Sequence, residues 1–214
     1  SIAEIGAQDA RQRAELGQKY DGRVQVLHRP GKEGLGVAYR HGFAWALAEG
    51  FDVVVQMDCD FSHDPAAIPE LLAQIEDGAD CAVGSRYVSG GSTPNWPAWR
   101  RLLSRWGNRY TAALLRLHIR DATGGFRAYR AATLRTIDVA TTRTNGYAFM
   151  SELARRMERA HLRVVEVPIT FVDREAGTSK MSVRIMAESL LVVTRWGLRD
   201  RREARRDPAV PTSV

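Results

Sequence analysis

The run Val53-Val54-Val55-Gln56-Met57-Asp58-Cys59-Asp60-Phe61-Ser62-His63 decides the fold. Three β-branched residues followed by Met57 read as a buried strand. The strand ends on two aspartates one residue apart. In an open α/β sheet, ligands collect just beyond the carboxyl ends of strands. Asp58 and Asp60, at i and i+2 of an extended segment, project to the same side. Two converging carboxylates suit Mg²⁺ or Mn²⁺, hard cations that take oxygen ligands and often share them with substrate phosphates. An ordinary polar turn after a strand accounts for the same pair, so the stretch has to be read with its neighbours.

Working outward, the segment before it reads as a helix closed by Gly50, with Val37, Ala44, Trp45 and Ala48 as its apolar face. A Gly- and cation-rich loop over 29–36 opens that helix. Further upstream, residues 2–20 read as a helix and 24–27 as a short strand. Downstream, Asp64 and Pro65 make an N-cap and first-turn pair. Ile68, Leu71, Leu72 and Ile75 keep helical spacing. Cys81-Ala82-Val83-Gly84-Ser85 is a second strand that delivers Arg86 to its carboxyl end. Strand and helix in alternation predict a mostly parallel sheet.

A Gly/Ser/Pro-rich loop over 89–97 breaks the pattern, with Trp96 and Trp99 near its far end. A helix follows to Leu117, and the polar turn 121–127 feeds another strand. Met150, Leu153, Ala154 and Met157 form a further helix face. Residues 164–172 read as a strand whose Pro168 implies an edge or a bulge. A helix over 183–198 leads into an arginine-rich stretch, so 1–198 is expected to be one domain and 199–214 a basic, disordered tail.

The chain has 214 residues, 44% of them hydrophobic, which suffices for one α/β core. No segment approaches 18 uninterrupted apolar residues, the length of a membrane span. Its two cysteines, Cys59 and Cys81, sit in or beside apolar runs and read as free buried thiols. The formal charge of +6 comes from arginine. It suits nucleic acid, an anionic membrane or a phosphorylated substrate. Nucleic acid is disfavoured, because the aromatics are not interleaved with the arginines as stacking platforms require.

Five motifs stand in order: Gly34-Leu35-Gly36-Val37-Ala38-Tyr39, the Asp58–Asp60 stretch, Val83-Gly84-Ser85-Arg86-Tyr87, Asp121-Ala122-Thr123-Gly124-Gly125-Phe126-Arg127, and Phe171-Val172-Asp173-Arg174-Glu175-Ala176-Gly177-Thr178-Ser179-Lys180. Together they resemble the family 2 glycosyltransferases of GT-A fold, most nearly the dolichol- or polyprenol-phosphate mannose synthases. The resemblance implies an α/β, Rossmann-like sheet flanked by helices. It also implies transfer of mannose from GDP-mannose to a polyprenyl (dolichyl-type) monophosphate with Mg²⁺ or Mn²⁺.

On that resemblance, Asp58, Cys59 and Asp60 contact the donor, and Asp58, Asp60 and Ser62 hold the metal. Arg86 serves donor and acceptor phosphates, and Arg100 and Ser104 hold the acceptor phosphate. Arg174 and Lys180 lie on the donor diphosphate. Asp60 and Arg86 are the residues expected to act at the reacting centre. The resemblance places the enzyme peripherally on the cytoplasmic face of a membrane, with Trp96, Trp99 and the basic last helix at the interface. A membrane-anchored partner subunit or domain is a further expectation. A polyprenyl-phosphate glucose synthase using UDP-glucose would show much the same constellation.

The residue types agree with such chemistry. A divalent metal with Arg and Lys neutralises a departing diphosphate. A lipid monophosphate needs no general base, since its second pKa is about 6. The family pattern also has an earlier Pro-x-Tyr-Asn-Glu strand and a second strand ending in Asp-Asp-Gly, which this sequence lacks. The expectation is therefore a truncated chain without the first βαβ portion. A catalytically inactive fragment that pairs with another chain is the corresponding alternative.

Overall fold

Short strands alternate with amphipathic helices and, among the described residues, build one four-stranded sheet. The computed structural model describes residues 33–144, 147–173 and 183–206, with 25, 27 and 31 besides. The helix expected over 2–20, most of the strand over 24–27, Arg174, Lys180 and residues 207–214 lie outside the described residues.

In chain order the elements are α1 (Leu35–Ala48), β1 (Val53–Gln56), α2 (Ile68–Glu76), β2 (Cys81–Ser85), α3 (Ala98–Leu115), β3 (Arg127–Arg130), α4 (Ala131–Thr136), α5 (Tyr147–Arg159), β4 (Val164–Pro168) and α6 (Val183–Arg206). The Asp64–Pro65 signal holds: the Asp64 carboxylate accepts from the Ala66 amide at 2.9 Å and caps a short 3₁₀ turn leading into α2.

The sheet order is β1-β3-β2-β4. β2 and β4 pair in parallel, with Cys81 opposite Val164 and Ser85 opposite Pro168. β3 inserts antiparallel between β1 and β2, placing Gln56 opposite Arg127 and Val83 opposite Arg127 on its other side. Three strands therefore run the same way and one is reversed. This reversal organises the active end, since the carboxyl ends of β1, β2 and β4 and the turn entering β3 all meet at one edge. Pro168 ends β4, whose pairing within the sheet is with β2 alone, as an edge position requires.

Strand periodicity sends alternate side chains to two cores. Cys81, Val83 and Tyr129 join Phe43, Phe149, Leu153 and Met157 on the face covered by α1 and α5. Ala82, Ala128 and Val167 join Leu71, Ile75 and Phe126 on the face covered by α2. The triple-valine run is explained by this arrangement: Val54 packs on the first core, and Val53 and Val55 on the second. The face expected of α5 is buried throughout, while of that expected of α2 Leu71 and Ile75 are buried and Ile68 and Leu72 half-buried.

Three expectations are corrected. The α1 face toward the core is Tyr39, Phe43, Ala46 and Leu47, not Val37, Ala44, Trp45 and Ala48; ring stacking of Tyr39 on Phe43 and Phe149 fixes the rotation. Cys81 is buried as expected, but Cys59 is exposed in the turn after β1. Residues 199–206, assigned to the tail, continue α6 as helix. Ion pairs hold them: Arg155 and Arg159 of α5 both bind Asp200, and Arg159 also reaches Glu203 at 3.0 Å. α6 also lies close on α3, where a Cβ on Gly197 would fall 2.8 Å from the Leu114 carbonyl oxygen.

Candidate active site

At the carboxyl end of β1 the two aspartates are oriented by different partners. Asp58 accepts a hydrogen bond of 2.7 Å from the Tyr39 hydroxyl on α1. Its other oxygen faces Gly125, where a Cβ would stand 3.8 Å away. Burial pushes the Tyr39 phenol far above its ordinary pKa, and the Asp58 charge adds to this, so Tyr39 stays a donor. Asp60 accepts from the Ser62 amide at 3.1 Å and from the Ser62 hydroxyl. Phe61 between them takes a left-handed φ of 61° and points outward.

Ser62 is buried, and its hydroxyl orients Asp60. His63 follows, wedged between the Phe126 and Phe171 rings with centroids 5.2 Å from each. Its Nδ1 is buried without a hydrogen-bond partner, and burial lowers the imidazole pKa against the pull of Asp58 and Asp60.

β2 delivers Arg86. Its Nε and one terminal nitrogen each donate at 2.7 Å to the two oxygens of Asp121, and its backbone amide donates at 3.1 Å. Asp121 is fully buried; burial alone would raise its carboxyl, yet the Arg86 charge and hydrogen bonds, with Arg127 nearby, hold it below the usual carboxylate range. Thr123 accepts a further bond from Arg86 at 3.0 Å. The rings of Tyr87, Phe171 and Trp96 lie 5.2, 5.4 and 5.8 Å from the guanidinium, a distance at which cation–π attraction operates.

Several residues that sequence reasoning passed over fix this arrangement. Glu166 of β4 accepts from the Arg120 and Asp121 amides at 2.8 and 2.9 Å. Buried Asn108 of α3 donates to Thr123 and to the Ser104 carbonyl, and accepts from the Thr123 amide. A polar residue inside an otherwise amphipathic helix was the available signal for Asn108. Glu166 could have been found as the one charged residue within the Val164–Pro168 run.

The first turn of α3 contributes Arg100, whose guanidinium lies 3.9 Å over the Trp96 ring and donates to both oxygens of Asp173 at 2.8 and 3.0 Å. Trp96 is buried and donates from Nε1 to the same Asp173 at 3.0 Å. It forms a wall of the site and is not a residue of the outer surface, which corrects its expected place at an interface. Trp99 is exposed. The Ser104 hydroxyl accepts from Tyr87.

Part of this arrangement lines one cavity of about 420 Å³. Asp58, Arg86, Arg100 and Ser104 meet there, whereas Cys59, Asp60 and Ser62 stand beside it and are not among its lining residues. One end is polar; the other, between α3 and α6, is walled by Leu103, Trp106, Leu190 and Val193. Among the described residues no group of three or more His, Cys, Asp and Glu side chains forms a closed metal cage. Two carboxylates suit a hard dication that completes its coordination with phosphate oxygens and water.

The geometry matches known proteins. Residues 7–138 match the domain of glycosyl transferase family 2. An undecaprenyl-phosphate mannosyltransferase of Micrococcus luteus is 49% identical over 186 residues, 87% of this chain and 76% of that protein. A polyprenol monophosphomannose synthase of Mycolicibacterium smegmatis is 48% identical over 185 residues, 86% of this chain and 69% of that protein. Among solved structures, glucosyl-3-phosphoglycerate synthase of Mycobacterium tuberculosis, in complex with Mn²⁺, UDP-glucose and phosphoglyceric acid, superposes with a TM-score of 0.60 at 18% identity. That match covers 92% of this chain and 66% of the other, so this chain spans just under two thirds of that structure's length. At such identity the likeness bears on the fold, which is the GT-A-type α/β fold expected. With the family domain matched over more than half of the chain and two curated relatives near half identity, the chain belongs to glycosyl transferase family 2.

Proposed function

We propose that this chain transfers mannose from GDP-mannose to a polyprenyl monophosphate, with inversion at the anomeric carbon. The observation that carries the reading is one cavity with two carboxylates, Asp58 and Asp173, and two arginines at one end, and an apolar channel between α3 and α6 at the other. An acceptor that is a phosphate on an isoprenoid chain has that same polarity. The two relatives named above are polyprenyl-phosphate mannose synthases, which supports the sugar and the lipid.

In this reading a phosphate oxygen of the acceptor attacks the sugar C1, the bond from C1 to the diphosphate oxygen breaks, and GDP departs with that electron pair. Asp58 and Asp60 would hold a Mg²⁺ or Mn²⁺ ion, which supplies positive charge to the leaving diphosphate. Tyr39 and Ser62 aim the two carboxylates. Arg86 is fixed by Asp121 and Thr123 before any substrate arrives, so it neutralises phosphate charge with little reorganisation. Arg100 and Ser104 take the acceptor phosphate. Arg174 and Lys180 are assigned to the donor diphosphate, and Cys59 to the donor through its backbone. No side chain need remove a proton, because the nucleophile is already an anion.

Among the described residues no helix is long and apolar enough to cross a membrane. The proposed docking face for the bilayer is α3. Trp99, Leu102, Leu103 and Trp106 recur at helical spacing and are exposed, flanked by exposed Arg101, Arg105 and Arg109. Apolar side chains among arginines suit the anionic cytoplasmic leaflet. The face also borders the apolar end of the cavity, through which a lipid tail would leave.

Radiolabelled sugar transfer into organic-extractable lipid tests the reading. GDP-mannose should label polyprenyl phosphate, EDTA should abolish the signal, and UDP-glucose should fail as donor. Labelling from UDP-glucose alone would instead make the protein a glucose synthase, and EDTA-resistant transfer would remove the metal from the site.

A further inference from the structure

Asp173 occupies the donors that an acceptor phosphate would use. Its carboxylate takes both hydrogen bonds given by Arg100 and the one given by Trp96 Nε1, at 2.8, 3.0 and 3.0 Å. Arg100 lies flat on the Trp96 ring, so guanidinium and indole N–H face the same carboxylate. The chain leading to Asp173 is pinned on both sides: the Phe171 amide donates to the Ser92 carbonyl at 2.9 Å, and the Val172 amide to the Ser62 carbonyl at 3.2 Å. Asp173 also lines the same cavity as Arg86 and Ser104.

We infer that Asp173 is a built-in competitor of the acceptor phosphate, a carboxylate that must yield Arg100 and Trp96 before the lipid phosphate binds. This rests on the reading of Arg100 as the acceptor-phosphate residue. A carboxylate presents one charge and two oxygens, whereas a phosphomonoester near neutral pH carries about −1.5 to −2 and three oxygens. Charge-assisted bonds to guanidinium strengthen with the charge of the acceptor. The dianion therefore displaces Asp173 where a phosphodiester or a carboxylate, with a single charge and two free oxygens, does so poorly. Asp173 thereby lowers the affinity of Arg100 and Trp96 for every anion by the same factor, so that only a strongly held one takes its place.

The exchange predicts that removing the competitor tightens binding, which loss of a merely structural contact would not do. Asp173→Asn keeps an acceptor oxygen for Trp96 and removes the charge. Titration calorimetry of a short isoprenyl monophosphate, in EDTA and without donor, should show binding about two- to fivefold tighter, the scale of one partly exposed ion pair. Affinity for inorganic sulfate, itself a dianion, should rise by the same factor, so the ratio of monophosphate to sulfate affinity stays level. Asp173→Ser, which removes the carboxylate altogether, should tighten monophosphate binding too. Arg100→Gln is the control, and should weaken monophosphate binding. If Arg100→Gln changes nothing, the acceptor reading of Arg100 is wrong. If Arg100→Gln weakens binding while neither Asp173 variant tightens it, the competition is wrong. Unfolding of both Asp173 variants, seen as loss of the thermal transition, would equally overturn it by making Asp173 a structural residue.

Discussion

Asp121→Asn is the most informative single change. Asp121 is fully buried, and its partner Arg86 has a side chain only 10% exposed. The substitution removes the charge that faces the guanidinium but leaves one side-chain oxygen as an acceptor. Breaking a buried pair by removing one charge costs about 3–5 kcal/mol, because the survivor stays buried and uncompensated. The retained oxygen and Thr123 place this case near the lower end, at roughly 3 kcal/mol. With a urea m-value of about 2 kcal/mol/M, the unfolding midpoint should drop by about 1.5 M with m unchanged. Arg86 should also lose its fixed orientation, and transfer should fall by one to two orders of magnitude, or about 1.4–2.8 kcal/mol of barrier. The double variant Arg86→Met/Asp121→Leu should recover most of the stability and none of the activity, since an apolar pair can replace a buried ion pair. A midpoint shift under 0.3 M for Asp121→Asn would refute the argument that this pair is electrostatically committed.

Other expectations follow from the same geometry. Gly197→Ala places a Cβ 2.8 Å from the Leu114 carbonyl oxygen, a backbone atom that cannot step aside, so α6 should shift off α3 at a cost of about 1–3 kcal/mol, read by urea melts. The pH profile has two flanks. Asp121, depressed in the fold, contributes stability above the unfolded carboxylate pKa of about 3.9, and this is lost as pH falls below it. Cys81, which burial pushes up to about 12, works the other way. Above about pH 8.5 the unfolded thiol deprotonates first, so stability falls as pH rises, measurable as a declining melting temperature that Cys81→Ala flattens. Trp99→Glu with Leu102→Glu should cut sedimentation with anionic vesicles at least fivefold while leaving transfer to a detergent-dispersed acceptor; unchanged sedimentation would remove α3 from the interface.

The sequence carried the strand ends more faithfully than the helix faces. Val53 to Asp60 and Cys81 to Arg86 announced themselves because a β-branched or small-residue run stopping at a charged residue is a local signal. The reversed β3 was legible only as a strand after a polar turn. Its direction depends on long-range pairing with both β1 and β2, which no local pattern records. The α1 face was misread for a related reason. Ala44 and Trp45 fit an apolar stripe, but ring stacking of Tyr39 with Phe43 and Phe149, more than a hundred residues away for the last, chose the rotation. Trp96 looked like an interface anchor because it sits in a Gly/Pro-rich loop. Its burial follows from the Asp173 and Phe171 contacts, which join segments far apart in sequence.

Arg127 carries a consequence for how the enzyme fails under heat. This fully buried guanidinium donates to the carbonyls of Ala122, Gly124 and Met150, at 3.0, 2.9 and 3.3 Å. It thereby ties the turn that faces Asp58 to the inner strand and to α5. The substrate-facing turn has no melting step of its own in this arrangement, because loosening it means exposing a charge held inside the domain. Catalytic loss on warming should thus be as abrupt as the collapse of the whole domain, with no temperature window in which a folded but idle protein persists.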